Sequence, residues 1–356
     1  MDMPEHLPGV TSHMVKTPRL TIHVLRSGPA GGIPVIFLHG NFSSALFWEE
    51  TMLALPAGFQ GIAPDLRGYG WTEDKVVDAT RGMGEWTDDL ISMLDTLEIS
   101  RAHFVGWSMG AGILYSLIGS FPNRVISVTL VAPVPPYGFG GTKDAEGTPC
   151  FADFAGSGGG VVNPVFVQQI IAGDRSAEDP NSPRNVINSF YYKPPFRAAR
   201  EEDFLTGALA QKMGADRYPG DPIPTPNWPG VCPGVFGPAN AFSARYMRGL
   251  AGQFVAAYPK PPVLWIHGSH DNIVGDNSMF DLGALGKLGY VPGWPGDAVY
   301  PPQPMVTQMR QVLQHYVAAG GSYSEQVIPE TAHGPHIEKP AEFGALFHPF
   351  LKTTGN

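Results

Sequence analysis

Strand-sized apolar runs that recur between helix-patterned segments restrict the fold of this chain more than any other feature. Residues 35–38, 61–64, 102–106, Val125–Val131, 263–266 and 325–328 are runs of this kind. They read as buried strands, because continuous apolar runs suit parallel strands covered on both faces. Between them lie segments with helical periodicity. Residues 85–97 place Trp86, Leu90, Met93 and Leu97 on one stripe, and residues 305–317 do the same with Met309, Val312, Leu313 and Tyr316. Strands alternating with amphipathic helices predict an α/β domain built on an open, mostly parallel sheet. Residues 13–15 and 20–24 read as an antiparallel pair preceding it.

Two stretches break the rhythm. From Gly138 to Tyr258 the chain turns rich in Gly, Pro, Asn and aromatics, with Gly156-Ser157-Gly158-Gly159-Gly160 and Pro222-Ile223-Pro224-Thr225-Pro226 among its breakers. A structureless loop of that length does not suit a compact domain, so residues 138–258 are expected to fold as a cap upon a core made of residues 1–137 and 259–356. Short helices are expected within the cap at residues 165–172 and 198–213. The second stretch, residues 277–304, contains Val291-Pro292-Gly293-Trp294-Pro295-Gly296 and reads as a rim loop.

Composition excludes several functions. Charged residues make up 15% of the 356, against the roughly 25% usual for globular chains. The formal net charge is −9, and no Lys/Arg cluster could follow a phosphate backbone, so nucleic acid is not an expected partner. No apolar stretch reaches the roughly 18 residues of a membrane span. The acidic, proline-containing start lacks the basic-then-apolar order of an export signal, so a soluble, cytoplasmic protein is expected. Cys150 and Cys232 are too few for a disulfide framework or a zinc site; free thiols are the expectation, with a pairing inside the cap as the alternative.

The chemistry-bearing segment is Gly106-Trp107-Ser108-Met109-Gly110, which directly follows a predicted strand and opens a predicted helix. The pentapeptide in this setting resembles the nucleophile elbow of the α/β-hydrolase family. That resemblance implies a mostly parallel eight-stranded sheet flanked by helices, with Ser108 as nucleophile. A serine hydroxyl needs a base to take its proton, and its attack on a carbonyl creates an oxyanion that needs donors. The amide of Met109, at the helix amino terminus, is one expected donor. His39-Gly40-Asn41-Phe42 resembles the family's oxyanion loop, which makes the Asn41 amide the second and Phe42 its reserve.

Glu330-Thr331-Ala332-His333-Gly334 follows the last predicted strand and resembles the family's histidine loop, which leads into a final helix, here residues 341–351. His333 is the expected general base and His336 the rival. His267-Gly268-Ser269-His270-Asp271 follows the strand at 263–266, where the family places its acid. Asp271 is the expected acid, with Glu330 as alternative, and the order Ser108, Asp271, His333 is that of the family. The separation of Asp271 from His333 is long, and the 277–304 insertion accounts for it. His267, His270 and Asp271 could also suggest a metal site, but a strand end would point the two histidines in different directions, and no metal is expected. His103 and His348 read as structural, as do Asp65 and Arg67 in Asp65-Leu66-Arg67-Gly68-Tyr69-Gly70.

The resemblance implies acyl transfer through a covalent intermediate, with no cofactor. A serine at the elbow disfavours epoxide opening and halide displacement, for which family members use aspartate. The expected substrate is a small to medium apolar carboxylic ester or lactone. Carbon–carbon bond hydrolysis, acyl transfer to another nucleophile and slow-turnover ligand reception are the alternatives. Trp107 and Phe42 are expected to bind substrate. Phe190, Tyr191, Tyr192, Phe196, Trp228 and Phe236 line the pocket on one reading and form the cap's own core on the other.

Overall fold

A computed structural model describes residues 2–354. Its main sheet has eight strands: β1 (Val10–Lys16), β2 (Thr21–Ser27), β3 (Ile33–Leu38), β4 (Phe59–Pro64), β5 (Ala102–Trp107), β6 (Val125–Val131), β9 (Val263–Gly268) and β10 (Tyr323–Ile328). A separate two-stranded hairpin, β7 (Pro222–Pro224) and β8 (Val231–Pro233), lies between β6 and β9 in sequence. The order in the main sheet is β1-β2-β4-β3-β5-β6-β9-β10. β2 runs antiparallel to both its neighbours, and the remaining pairs are parallel.

The apolar runs are continuous because both faces of the sheet are covered. Ile36 and Leu38 of β3 join one buried cluster with Phe104, Val128 and Leu130, whereas Val35 and Phe37 join a second with Val105, Val131 and Ile266. Neighbouring side chains on a strand point to opposite faces, so each cluster takes alternate residues. β10 departs from this pattern. It is the edge strand, Val327 is 47% exposed, and Glu325 pairs with Arg310 and His267. Two helices that flank the sheet match their expected stripes, at Gly84–Thr96 and Met305–Ala318.

Between β6 and β9 the chain forms short helices at Pro164–Ala172 and Glu201–Leu209, a π-helical turn at Ile187–Tyr191 and the β7–β8 hairpin. The second helix is shorter than the expected 198–213, because Pro194, Pro195 and the turn before Glu201 delay its start. The last helix of this stretch, Leu250–Ala256, packs with the core: Phe254 stacks on Tyr316 and meets Tyr115 edge-on. Residues 277–304 are more than a loop. They hold the helix Leu282–Lys287, capped by the Asp281 carboxylate, which accepts from Ala284 N–H at 3.1 Å. Cys150 and Cys232 are free thiols. Among the described residues no helix is long and apolar enough to cross a membrane.

Candidate active site

Ser108 sits between β5 and the helix Met109–Ser120 with φ +55° and ψ −119°, a conformation costly for a residue with a Cβ. Its neighbours explain how the chain tolerates it. A Cβ at Gly106 would lie 2.7 Å from Ala111 N, and one at Gly110 would lie 2.5 Å from Leu38 O. Gly40 has the same role on the facing loop, where a Cβ would come 2.9 Å from Ser108 Cβ. Glycine at these places lets three backbone segments converge on the serine. Ser108 N–H donates to Val131 O and Val134 N–H donates to Ser108 O, which tie the turn to the adjacent strand end.

His333 and Asp271 come together at the carboxyl ends of β10 and β9. His333 Nδ1–H donates to Asp271 Oδ2 at 2.8 Å, with side-chain exposures of 2% and 3%. Asp271 Oδ1 accepts from Ile273 N–H and Val274 N–H, both at 2.9 Å. Three donors thus hold the carboxylate, and its bond to Nδ1 leaves His333 Nε2 as the basic nitrogen. Ser108 and His333 line one cavity of about 580 Å³. No hydrogen bond joins their side chains, and in sites of this kind such contacts commonly tighten only with substrate in place.

The alternatives lie elsewhere. Glu330 turns outward, 63% exposed, to an ion pair with Lys193 at 2.8 Å. His336 is buried and stacked on Trp48 with ring centroids 4.3 Å apart, and burial lowers its pKa to about 3, which keeps it neutral. His267 pairs with Glu325, and His270 with Ser269. Asp65 accepts from Ala45 N–H, Trp71 N–H and His23, while Arg67 grips Asp89 with two nitrogens. His103 hydrogen-bonds Ser127 within the sheet.

The N–H groups of Met109, Asn41 and Phe42 have no acceptor among the described residues, and all three residues line the cavity beside Ser108. Asn41 is held by tyrosines: Tyr69 Oη–H donates to its Oδ1 at 2.8 Å and Tyr191 Oη–H to its backbone O at 2.7 Å. Tyr218 lines the cavity next to it; burial pushes its phenol up to about 12, against a hydrogen bond from the Asn41 side chain. Tyr69 and Tyr218 carried no sequence signal of their own, since their meeting at Asn41 depends on loops far apart in the chain.

Trp107 departs from its expected role. It is 1% exposed and stands behind the site, where its Nε1–H donates to His333 O at 2.7 Å instead of facing the cavity. Trp107 closes β5 inside the second buried cluster, its ring edge-on to Tyr191 and 5.6 Å from that of His333, two residues that themselves line the cavity. Phe42, Phe190 and Tyr191 line the cavity, whereas Tyr192 packs against Phe196 at 5.2 Å. Further wall comes from Phe139, Phe166 and Phe242, and from Met279, Phe280, Leu282 and Leu285 of the 277–304 segment. No Asp, Glu, Lys or Arg is among the described residues of the lining.

Ser108, His333 and Asp271 are not the chain's only serine–histidine–aspartate line. Ser12 Oγ lies 2.8 Å from His23 Nε2, and His23 Nδ1 lies 2.7 Å from Asp65 Oδ2. Ser12, however, is exposed in the middle of edge strand β1, without a helix amino terminus after it. That line ties the sheet edge to the Asp65 loop.

A strand-loop-helix turn at the sheet's carboxyl edge, with acid and base on later strand ends, defines a class of hydrolase folds. Residues 33–156 match the family described as alpha/beta hydrolase fold. The chain has the alpha/beta hydrolase fold. It is 30% identical over 135 residues to 2-hydroxymuconate semialdehyde hydrolase of Pseudomonas sp. (strain CF600), covering 37% of this chain and 46% of that protein. It is 34% identical over 121 residues to an epoxide hydrolase of Caballeronia sordidicola, covering 34% of this chain and 36% of that protein. The chain therefore spans less than half of either relative. The solved structure of carboxylesterase CesB (YbfK) from Bacillus subtilis superimposes with a TM-score of 0.58 at 14% identity, covering 98% of this chain and 92% of that one.

Proposed function

We propose that this chain is a serine hydrolase that cleaves an uncharged, largely apolar carboxylic ester or lactone through an acyl-enzyme. Ser108 Oγ attacks the carbonyl carbon while His333 Nε2 takes its proton, and Asp271 stabilises the imidazolium that forms. The amides of Met109 and Asn41 receive the oxyanion, with Phe42 N–H adjacent to them. Protonated His333 then returns the proton to the departing alkoxide. Water, deprotonated by the same nitrogen, attacks the acyl carbon and frees Ser108.

The observation that carries this reading is the positive-φ serine at a helix amino terminus, opening onto the same cavity as an aspartate-bound histidine. Substrate character follows from the walls. A buried carboxylate or ammonium needs a partner of opposite charge, and the described lining offers none beyond His333. An ester fits better than a substrate carrying a free carboxylate, and this favours ester cleavage over carbon–carbon cleavage of acidic compounds. Residues 138–258 act, in this reading, as the cap that shapes the pocket. The test is hydrolysis of a panel of neutral aryl esters and lactones by the full chain and by Ser108→Ala. Turnover that falls by several orders of magnitude in the variant supports the reading, and turnover that persists overturns it.

A further inference from the structure

Tyr191 links the serine's surroundings more tightly than a pocket wall requires. Its hydroxyl donates to Asn41 O at 2.7 Å and to Phe42 O at 3.1 Å. Its own carbonyl accepts from Gly334 N–H at 2.7 Å, one residue past His333. Its ring meets Trp107 edge-on at 5.3 Å and lies 5.9 Å from the imidazole of His333. The residue is buried, and burial holds its phenol far above the usual range, so the hydroxyl remains a donor.

The two carbonyls it holds belong to a backbone under constraint. Phe42 has φ +47°, in the left-handed region that disfavours a bulky side chain. The peptide between Asn41 and Phe42 is planar, so fixing the carbonyl of Asn41 fixes the direction of the Phe42 N–H, the reserve oxyanion donor, and anchors Asn41, whose own N–H is the proposed donor, from its carbonyl side. The bond to Phe42 O secures the next peptide plane. A left-handed Phe persists only where its surroundings hold it, and the Tyr191 hydroxyl is the side-chain donor to both carbonyls.

We propose that Tyr191, contributed by the long segment between β6 and β9, is a positioning residue for the oxyanion-binding loop. The segment would then take part in rate enhancement as well as in substrate choice. This rests on the serine-hydrolase reading above.

The test compares two buried tyrosines next to each other in sequence. Tyr191→Phe removes one oxygen and keeps the ring contacts. Tyr192→Phe makes the same deletion where the hydroxyl has no hydrogen-bond partner among the described residues. Both variants, wild type and Ser108→Ala are assayed with a neutral p-nitrophenyl ester, and Ser108 phosphonylation by a fluorophosphonate is timed alongside. Thermal unfolding is recorded for each.

For Tyr191→Phe, kcat and the phosphonylation rate are expected to fall together by about tenfold to a hundredfold, below the ~10²–10³-fold cost of losing a direct oxyanion donor. KM should stay within about threefold, and the acid limb of the pH profile should not move, because the Gly334–Tyr191 backbone bond survives. Tyr192→Phe should match wild type. The proposal is overturned if Tyr191→Phe keeps full kcat, if both variants lose equally, if the loss lies in KM alone, or if the acid limb shifts. Turnover by Ser108→Ala would remove the serine-hydrolase reading and this inference with it. An inactive Ser108→Ala beside a fully active Tyr191→Phe would remove this inference only.

Discussion

Asp281 makes the cavity wall sensitive to pH. Its Oδ2 accepts from Ala284 N–H and Gln303 N–H, both at 3.1 Å, while its buried Oδ1 has no partner among the described residues. Burial is the largest influence on it and raises its pKa from 3.8 to about 6 against these bonds. A carboxyl whose folded pKa lies above its unfolded value binds more protons in the native state between the two. Its contribution to stability is fully present below about pH 4 and is lost as pH rises through about 6. A shift of about two units at ~1.4 kcal/mol each gives a loss of about 3 kcal/mol. Spread over the unfolding entropy of a chain this long, that is on the order of 4 °C in Tm. The measurement is thermal unfolding of wild type and Asp281→Asn between pH 4 and 8. The difference in Tm between the two proteins should change by that amount, most steeply near pH 5, between the unfolded and folded pKa values, and level off above about 6, because other titrating groups cancel in the difference. A difference independent of pH would refute the reasoning, since it would mean that Asp281 is ionised throughout or solvated in the native state. The helix it caps supplies Leu282 and Leu285 to the cavity, so KM for a neutral ester should change with a midpoint at the folded pKa of about 6.

Other consequences can be checked directly. Asp271→Asn should lower kcat by about 10⁴-fold by permitting the wrong His333 tautomer, and a loss under tenfold in steady-state assays would count against the assigned role. Gly110→Ala would drive a Cβ to 2.5 Å from Leu38 O and 2.7 Å from His39 O. It should cost about 1–3 kcal/mol in urea unfolding, together with most of the activity, and wild-type behaviour would show that the close approach is not required. Peptide mapping after fluorophosphonate treatment should find the adduct on Ser108 and none on Ser12; a Ser12 adduct in Ser108→Ala would show that a serine–histidine–aspartate line suffices without a pocket and helix donors.

The local chemistry of the site was legible in the sequence because it depends on short segments. Gly106 to Gly110 must be a strand, a turn and a helix, and the strand-sized runs on either side require a sheet covered on both faces. Residue order then brought Asp271 and His333 to the ends of later strands, and the structure joins them through a 2.8 Å hydrogen bond. Trp107 shows the limit of such reasoning. Adjacent to the serine in sequence, it is absent from the cavity lining and instead hydrogen-bonds the His333 backbone. Of the residues that shape the cavity, Phe42 was named from the sequence and Phe190 and Tyr191 on one of two readings. Tyr218, Phe139 and Leu282 come from segments with weak periodicity, so no repeating pattern marks which side chains turn inward. Backbone propensity and apolar period are local properties, and they determined the sheet, the elbow turn and the order of Ser108, Asp271 and His333 along the chain. Which side chains meet Asn41, which wall the cavity, and how residues between β6 and β9 grip the loops beneath them depend on contacts between distant parts of the chain. Only the tertiary packing decided those.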